Sequence, residues 1–169
     1  MKKNQPTIYA AKQAIMQQHN NGRLKFYIDF HGHVNKYNTF LYGNALKGGA
    51  QVYNLLFAKL LSMNSLHVDY AACNFSEYNM NIKDRISNDG REGCSRVAIH
   101  NATKLSNCYT IEASFYGSKR INTLSPKLIK DKNVVERETI LTNQFSKVYA
   151  GKSGAYNPEI YGDIGRVRF

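Results

Sequence analysis

Apolar residues recur along the first part of the chain with two different periods. Residues 6–18 follow helical spacing and are closed by an Asn-Asn-Gly sequence, which predicts a short amphipathic helix. Aromatic and branched residues at 26–30 and 39–43 predict two buried strands. Residues 50–63 return to helical spacing, so a second helix is expected to cross back over the sheet. Strand, loop, strand and helix in this order indicate an α/β fold.

The second part of the chain alternates shorter apolar runs with polar segments. Its patterns predict strands at 69–73, 96–100 and 107–115, a turn at 87–90, a helix at 134–149 and a last helix opened by Pro158. No internal repeat is visible. A chain of 169 residues can build one core, and we therefore expect a single unit.

Several classes of protein are disfavoured by the distribution of apolar residues and cysteines. The longest apolar stretch, 52–61, is interrupted by polar residues and falls short of the roughly 20 residues of a membrane span. No continuous apolar segment follows the N-terminal lysines, so secretion is not expected. The cysteines, Cys73, Cys94 and Cys108, form no C-x-x-C pair and are odd in number, which favours free thiols in a reducing cytosol.

The net charge of +11 favours a polyanionic partner, such as a nucleic acid, an anionic membrane or an acidic protein tail. The basic residues are scattered, and the chain has neither a glycine-rich phosphate loop nor an aromatic RNA-binding motif. Nucleic acid is therefore the less favoured partner.

Candidate chemistry begins with Asp29, His31 and His33, which lie where the first predicted strand ends. Glycine between the two histidines lets an imidazole project into a cleft, where it can bind a metal. H-x-H is a common spacing, however, and surface or hydrogen-bonded loop histidines are the alternative interpretation.

Longer blocks resemble the cytosolic carboxypeptidases, a subfamily of zinc metallocarboxypeptidases. YIDFHGHVNK at 27–36 followed by FLYGN at 40–44 is similar to the family's D-x-H-G-H, lysine and F-x-Y-G signature. ACNFSE at 72–77 and SRVAI at 95–99 resemble the branch that removes branch-point glutamates from tubulin, and SNCYTIE at 106–112 resembles the family's S-Y-T-L-E strand. With PTIY at 6–9 and YGDIGR at 161–166, the resemblance covers nearly the whole chain in order.

The resemblance implies a zinc-carboxypeptidase-like α/β fold, a mixed sheet with helices on both faces. Residues 1–169 would be the C-terminal portion of a single catalytic domain whose N-terminal part is missing. The family holds zinc with the histidine of D-x-H-G-H, here His31, and with the two ligands of an upstream H-x-x-E, which this sequence does not contain. We therefore expect either a truncated gene product or a chain that has lost activity, and we favour truncation.

The resemblance also assigns roles to individual residues. Glu112 corresponds to the general base that takes a proton from the attacking water, although a glutamate at the solvent end of a strand is the alternative. Arg96 corresponds to the cation in the pocket for the C-terminal side chain, and the alternative is a solvated arginine at the start of a strand. Asp29 is expected to orient His31 from the second coordination shell, unless it faces the other side of the strand.

The expected function is that of a metallocarboxypeptidase that removes C-terminal or branch-point glutamate from polyglutamylated tubulin. Lys36 and the net positive charge fit glutamylated tubulin or another acidic tail as partner, with no nucleic acid and no membrane. A cytoplasmic location is expected, near the cytoskeleton or cilium. The rival hypotheses are a pseudoenzyme or binding module that keeps the fold and binds an acidic partner, and a structural subunit of a larger assembly.

Overall fold

The computed structural model describes residues 5–81, 94–119, 121–122 and 155–165, with the backbone alone for Asp163, and these residues form helices and three strands. In chain order the elements are α1 (Pro6–Asn20), β1 (Tyr27–His33), β2 (Thr39–Tyr42), α2 (Gly49–Asn64), a short 3-10 helix (Tyr70–Ala72), α3 (Glu77–Asn81), α4 (Ser95–Thr103), β3 (Cys108–Ser114) and α5 (Pro158–Gly165). No helix among these described residues is long and apolar enough to cross a membrane.

The three strands form a mixed sheet in the order β1-β3-β2. Near the start of β1 the amide of Tyr27 donates to the carbonyl of Asn107 (2.8 Å), and at its end the carbonyl of His33 accepts from Phe115 (3.0 Å). The two strands therefore run parallel. Asn38, just before β2, exchanges backbone hydrogen bonds with residues at the end of β3, so β2 runs antiparallel to β3. The predicted α/β class with a mixed sheet is confirmed at this level.

Two compact units divide the chain, and their boundary passes through β1, β3 and α2. The first comprises Met1–Asp29, Gly43–Asn54 and Phe75–Thr110, and the second Phe30–Tyr42, Leu55–Asn74 and Ile111–Phe169. In the first unit, the buried apolar side chains include those of Val97, Ile99 and Tyr109. In the second unit they include Phe40, Leu61 and Val68. Each such side chain stabilises its unit by roughly 1.5–3 kcal/mol through removal of apolar surface from water.

A small cluster of buried residues holds α5 in the second unit. Tyr156, Ile160 and Ile164 form it, and the last two lie on one face of the helix because they are four residues apart. The hydroxyl of Tyr161 donates to the carbonyl of Ser114 at the end of β3 (3.1 Å). The helix opened by Pro158 is thus confirmed and reaches Gly165.

Two strand predictions are wrong. Residues 96–100 belong to the helix α4, whose buried residues Arg96, Ile99 and Thr103 follow helical spacing. Val97 and Ile99, two positions apart, imitate the period of a strand in so short a run. Most of the run at 69–73 forms the 3-10 helix, because the carboxylate of Asp69 accepts hydrogen bonds from the amides of Ala71 and Ala72.

The remaining predicted elements within the described residues are confirmed. They are the helices at 6–18 and 50–63 and the strands at 26–30, 39–43 and 107–115, with boundaries that differ by a few residues. The burial predicted for the strand at 26–30 is wrong, because no residue of β1 is buried and Phe30 is 62% exposed. Among the described strands, β1 pairs with β3 alone. The predicted turn at 87–90 and the predicted helix at 134–149 lie outside the described residues.

Candidate functional site

The register of β1 and β3 sets the geometry around Glu112. The bonds at the two strand ends pair Tyr27 with Cys108 and His33 with Ser114, and the same register places His31 opposite Glu112 on the neighbouring parallel strand. Side chains alternate between the faces of a sheet, so His31, His33 and Glu112 share one face. All three belong to the second unit, where His31 is exposed and the other two are partly buried.

His33 lies close to the carboxylate of Glu112. Its Nδ1 lies 3.9 Å from Oε2 of the carboxylate, with 20% of the histidine side chain and 13% of the glutamate side chain exposed. This distance is too long for a hydrogen bond and suits an ion pair when the imidazole is protonated. The carboxylate of Glu112 is thus reachable from solvent and has a histidine as its neighbour.

The ring of Phe40 packs against the His33 ring. The two rings are perpendicular, with centroids 5.1 Å apart, and Lys36 Nζ lies 4.6 Å from the centre of the Phe40 ring. Nε2 of His33 is buried and has no hydrogen-bond partner among the described residues. A buried polar atom of this kind is uncommon in folded proteins, and functional sites are one place where it occurs.

Gly32, between the two histidines, lies close to an aromatic ring. A Cβ atom at this position would lie 2.2 Å from Cζ of Phe115, a ring on the segment that follows β3. That distance is far below a van der Waals contact, so a larger residue would displace the ring or the strand. The glycine of H-G-H therefore permits close approach of an aromatic ring from the end of β3, which the sequence did not reveal.

Asp29 lies in the first unit and contacts α4. The hydroxyl of Ser95, the first residue of that helix, donates a short hydrogen bond to Oδ2 of Asp29. Burial raises the pKa of Tyr27, and a hydrogen bond from the same serine acts in the opposite direction. A carboxylate beside a helix N-terminus is also stabilised by the helix dipole. Asp29 thus anchors the start of α4, while its predicted role in orienting His31 stays a prediction.

Arg96 is buried, with 3% of its surface exposed, so the alternative of a solvated arginine at a strand start is wrong. Its Nη2 donates to Oδ1 of Asn79 (2.9 Å), and its Nε donates to the carbonyl of Gly43 (3.4 Å). Nη1 lies 3.5 Å from the thiol sulfur of Cys94. These three contacts are to neutral groups, and they hold the guanidinium in one orientation.

The four predicted site residues fall in two units. Asp29 and Arg96 lie in the first unit, and His31 and Glu112 lie in the second. The structure brings His31 and Glu112 together on one face, whereas the role in the same pocket that the resemblance implies for Arg96 stays a prediction.

The described residues do not by themselves complete a zinc site. Residues 5–81, 94–119, 121–122 and 155–165 contain no group of three His, Cys, Asp or Glu side chains placed to hold a metal. A catalytic zinc uses three protein ligands, and His31 offers one. His31 therefore fits one position of the zinc ligand set that the resemblance implies.

Comparison with known proteins decides the family. No family model matches the chain. A cytosolic carboxypeptidase-like protein 5 from Danio rerio is 38% identical over 143 residues, which cover 84% of this chain and 15% of the relative. The Homo sapiens protein of the same name is 41% identical over 100 residues, 59% of this chain and 11% of the relative. The chain belongs to the cytosolic carboxypeptidase family.

A second group of this family also matches. Cytosolic carboxypeptidase 6 from Homo sapiens is 33% identical over 115 residues, 66% of this chain and 21% of the relative. The chain thus spans only a small part of the length of the cytosolic carboxypeptidases it matches.

Two residues of this cytosolic carboxypeptidase chain received no defined role from the sequence. The resemblance assigns His33 no role, although its two-residue spacing from His31 on a strand already places both rings on one face. Asn79 has no role that the sequence assigns, because its contact with Arg96 joins residues 17 positions apart. Only the packed structure shows this pair.

Proposed function

We propose that the chain is part of a zinc metallocarboxypeptidase that removes C-terminal or branch-point glutamate from acidic protein tails such as those of polyglutamylated tubulin. One observation carries the proposal. His31 and Glu112 lie opposite each other on parallel strands, the arrangement that a metal ligand and a general base need in order to meet the same water. Membership of the cytosolic carboxypeptidase family supports a peptidase activity.

Glu112 would act as the proton acceptor in this reaction. Its carboxylate is partly exposed and stays close to His33, so it can receive a proton from an attacking water and pass it to the leaving amine. Zinc, when bound, would polarise the scissile carbonyl and lower the pKa of water. Of this chain's residues, His31 would hold it, and the remaining ligands would come from an H-x-x-E segment that this sequence does not contain.

Arg96 would receive the side-chain carboxylate of the departing glutamate. A guanidinium grips a carboxylate through two parallel hydrogen bonds, and burial of the pair away from water strengthens them. The orientation of the Arg96 guanidinium is fixed by its contacts with Asn79 and Gly43. A neutral C-terminal side chain would gain nothing from this cation, and the preference for glutamate follows.

The proposal also covers the domain, the partners and the location of the protein. Residues 1–169 would form the C-terminal portion of a single catalytic domain whose mixed sheet carries helices on both faces. Glutamylated tubulin or other acidic tails would be the partners, rather than nucleic acid or membrane. The names of the relatives support a cytoplasmic location, and a substrate of this kind would bring the protein to the cytoskeleton or cilium.

The test joins the chain to the family segment that carries H-x-x-E and measures zinc content and release of the C-terminal residue. Matched peptides that end in glutamate or in glutamine serve as substrates. We expect one zinc per molecule and a strong preference for glutamate. Arg96→Gln should lower kcat/KM for the glutamate peptide about a hundredfold and affect the glutamine peptide much less.

The 169-residue chain alone is the control and should bind zinc weakly, because His31 provides fewer than the three ligands of a catalytic site. Tight, stoichiometric zinc in the chain alone would contradict the ligand assignment. A joined protein that binds zinc and acidic peptides without releasing glutamate would favour the rival function, a binding module that keeps the carboxypeptidase fold.

A further inference from the structure

Two exposed lysines rest on aromatic rings in the segments that follow β1 and β3. Lys36 Nζ lies 4.6 Å from the centre of the Phe40 ring, and Lys119 Nζ lies 4.2 Å from the centre of the Tyr37 ring. Neither lysine pairs with a carboxylate among the residues that the structure describes. A cation–π contact favours one position of the ammonium group and leaves its charge unneutralised. Both charges are therefore placed and available to an anion.

Backbone hydrogen bonds bring the two lysine-bearing segments to the same edge of the sheet. The amide of Asn38 donates to the carbonyl of Gly117 (2.8 Å), and the amide of Lys119 donates to Oδ1 of Asn38 (3.0 Å). The parallel strands β1 and β3 both end at this edge. Open α/β sheets bind their ligands outside the carboxyl ends of such strands. All of these residues belong to the second unit, as Glu112 does.

The ring of Phe40 links Lys36 to the carboxylate of Glu112. Besides Lys36, the buried Phe40 contacts His33, with ring centroids 5.1 Å apart, and His33 Nδ1 lies 3.9 Å from Oε2 of Glu112. Together these contacts place the Lys36 ammonium no farther from that carboxylate than about four residues of extended chain, at roughly 3.5 Å per residue. A peptide whose last bond lies at Glu112 can therefore reach Lys36 with a residue just before that bond.

From this placement we propose that Lys36 and Lys119 form a second carboxylate-binding site near Glu112, which takes acidic residues on the N-terminal side of the scissile bond. The proposal rests on the function proposed above, in which Glu112 acts on the last bond of an acidic tail. A lysine ammonium is a compact charge with three rotatable donors, and it suits carboxylates on a flexible chain. A nucleic acid would also satisfy two cations, but it has no peptide bond for Glu112 to act on.

The experiment titrates the 169-residue chain with three tetrapeptides and follows the side-chain methylene signals of its lysines by NMR. The first peptide consists of four glutamates. The second replaces the three residues before the last by glutamine, and the third replaces only the last residue by glutamine. The variants are Lys36→Gln, Lys119→Gln and the double variant. Lys59→Gln is the matched control, because Lys59 is also exposed and lies over the ring of Tyr70 (5.1 Å), but on α2.

We expect the unchanged chain and Lys59→Gln to bind the first peptide about tenfold more tightly than the second. This ratio should fall about threefold in Lys36→Gln and in Lys119→Gln, and it should approach one in the double variant. The signals of Lys36 and Lys119 should shift with the first peptide, and that of Lys59 should not. Added salt should lower the ratio in the unchanged chain, because exposed charges are screened.

The control and the peptides decide between the explanations. An unaltered ratio in the double variant would overturn the proposal. An equal fall in Lys59→Gln would also overturn it, since net charge alone would then explain the binding. Tighter binding of a four-nucleotide oligouridylate than of the first peptide would assign the two lysines to nucleic acid instead. Equal affinities for the first and third peptides would count against the terminal pocket of Arg96, and a lysine-dependent ratio would still support the second site.

Discussion

His67 makes the stability of the second unit depend on pH in a direction that the structure determines. The residue is 2% exposed, and its Nδ1 lies 3.0 Å from the hydroxyl of Ser118. That hydroxyl is hydrogen-bonded to the hydroxyl of Tyr156 (2.8 Å). Burial lowers the pKa of His67 from 6.5 to about 4, because the charged imidazolium would lose its hydration. The unfolded chain therefore binds a proton that the folded chain does not bind between these two pH values.

The sign and size of the effect follow from linkage. A lowered histidine pKa in the folded state means that the free energy of unfolding falls as pH falls below 6.5, and the loss is complete near pH 4. Each pKa unit corresponds to about 1.4 kcal/mol, so the full loss is about 3 kcal/mol, of which about 2 kcal/mol is already lost at pH 5. These values are large beside the total stability of about 5–15 kcal/mol that is usual for a domain.

Carboxylates also titrate in this range, so the measurement must isolate His67. The chain has no tryptophan and 12 tyrosines, and urea unfolding is therefore followed by circular dichroism and tyrosine fluorescence. The free energy of unfolding is compared between the unchanged chain and His67→Gln at pH 7.5 and pH 5. The advantage of the unchanged chain should shrink by about 2 kcal/mol on acidification.

His19→Gln, which removes a half-buried histidine of α1, controls for the loss of one histidine in itself. A difference between the unchanged chain and His67→Gln that varies by less than about 0.5 kcal/mol between the two pH values would refute the reasoning. The imidazole of the folded chain would then carry its proton as readily as that of the unfolded chain.

Three further predictions concern the site and the core. Glu112→Gln in the joined protein should abolish turnover of both peptides and leave their affinities within about twofold; retained turnover, measured by release of the terminal residue, would remove Glu112 from the mechanism. Burial raises the pKa of the Cys108 thiol to about 12. At pH 8, iodoacetamide should therefore label Cys108 at least about ten times more slowly in the folded chain than in the chain unfolded in urea. Equal labelling rates, measured by mass spectrometry, would contradict the burial of this thiol. Gly43→Ala would place a Cβ atom 2.2 Å from the ring of Phe75 and should lower the free energy of unfolding by about 2 kcal/mol. Gly49→Ala should not lower it, because a Cβ atom there would meet nothing within 4 Å. Equal midpoints of urea unfolding for the two variants would argue against the contact with Phe75.

The sequence by itself determined those elements whose signal is local. Helices α1 and α2 and all three strands follow from the period of their apolar residues, and α5 follows from the proline at its start. The family blocks were also readable, because they consist of neighbouring residues in a fixed order, and the relatives confirm the family. His31 and Glu112 were identified as candidates on this basis alone.

Tertiary structure decided what depends on residues far apart in the chain. A run as short as 96–100 suits a strand or a helix, and in the structure it is helical with Arg96 buried. The partners of this arginine, Asn79 and Gly43, precede it by 17 and 53 positions, so its burial was not visible in the sequence. The same holds for His67, whose lowered pKa comes from burial and whose hydroxyl partner lies 51 residues away in the chain. Local patterns encode backbone periodicity, whereas burial and hydrogen-bond partners exist only once distant segments have packed together.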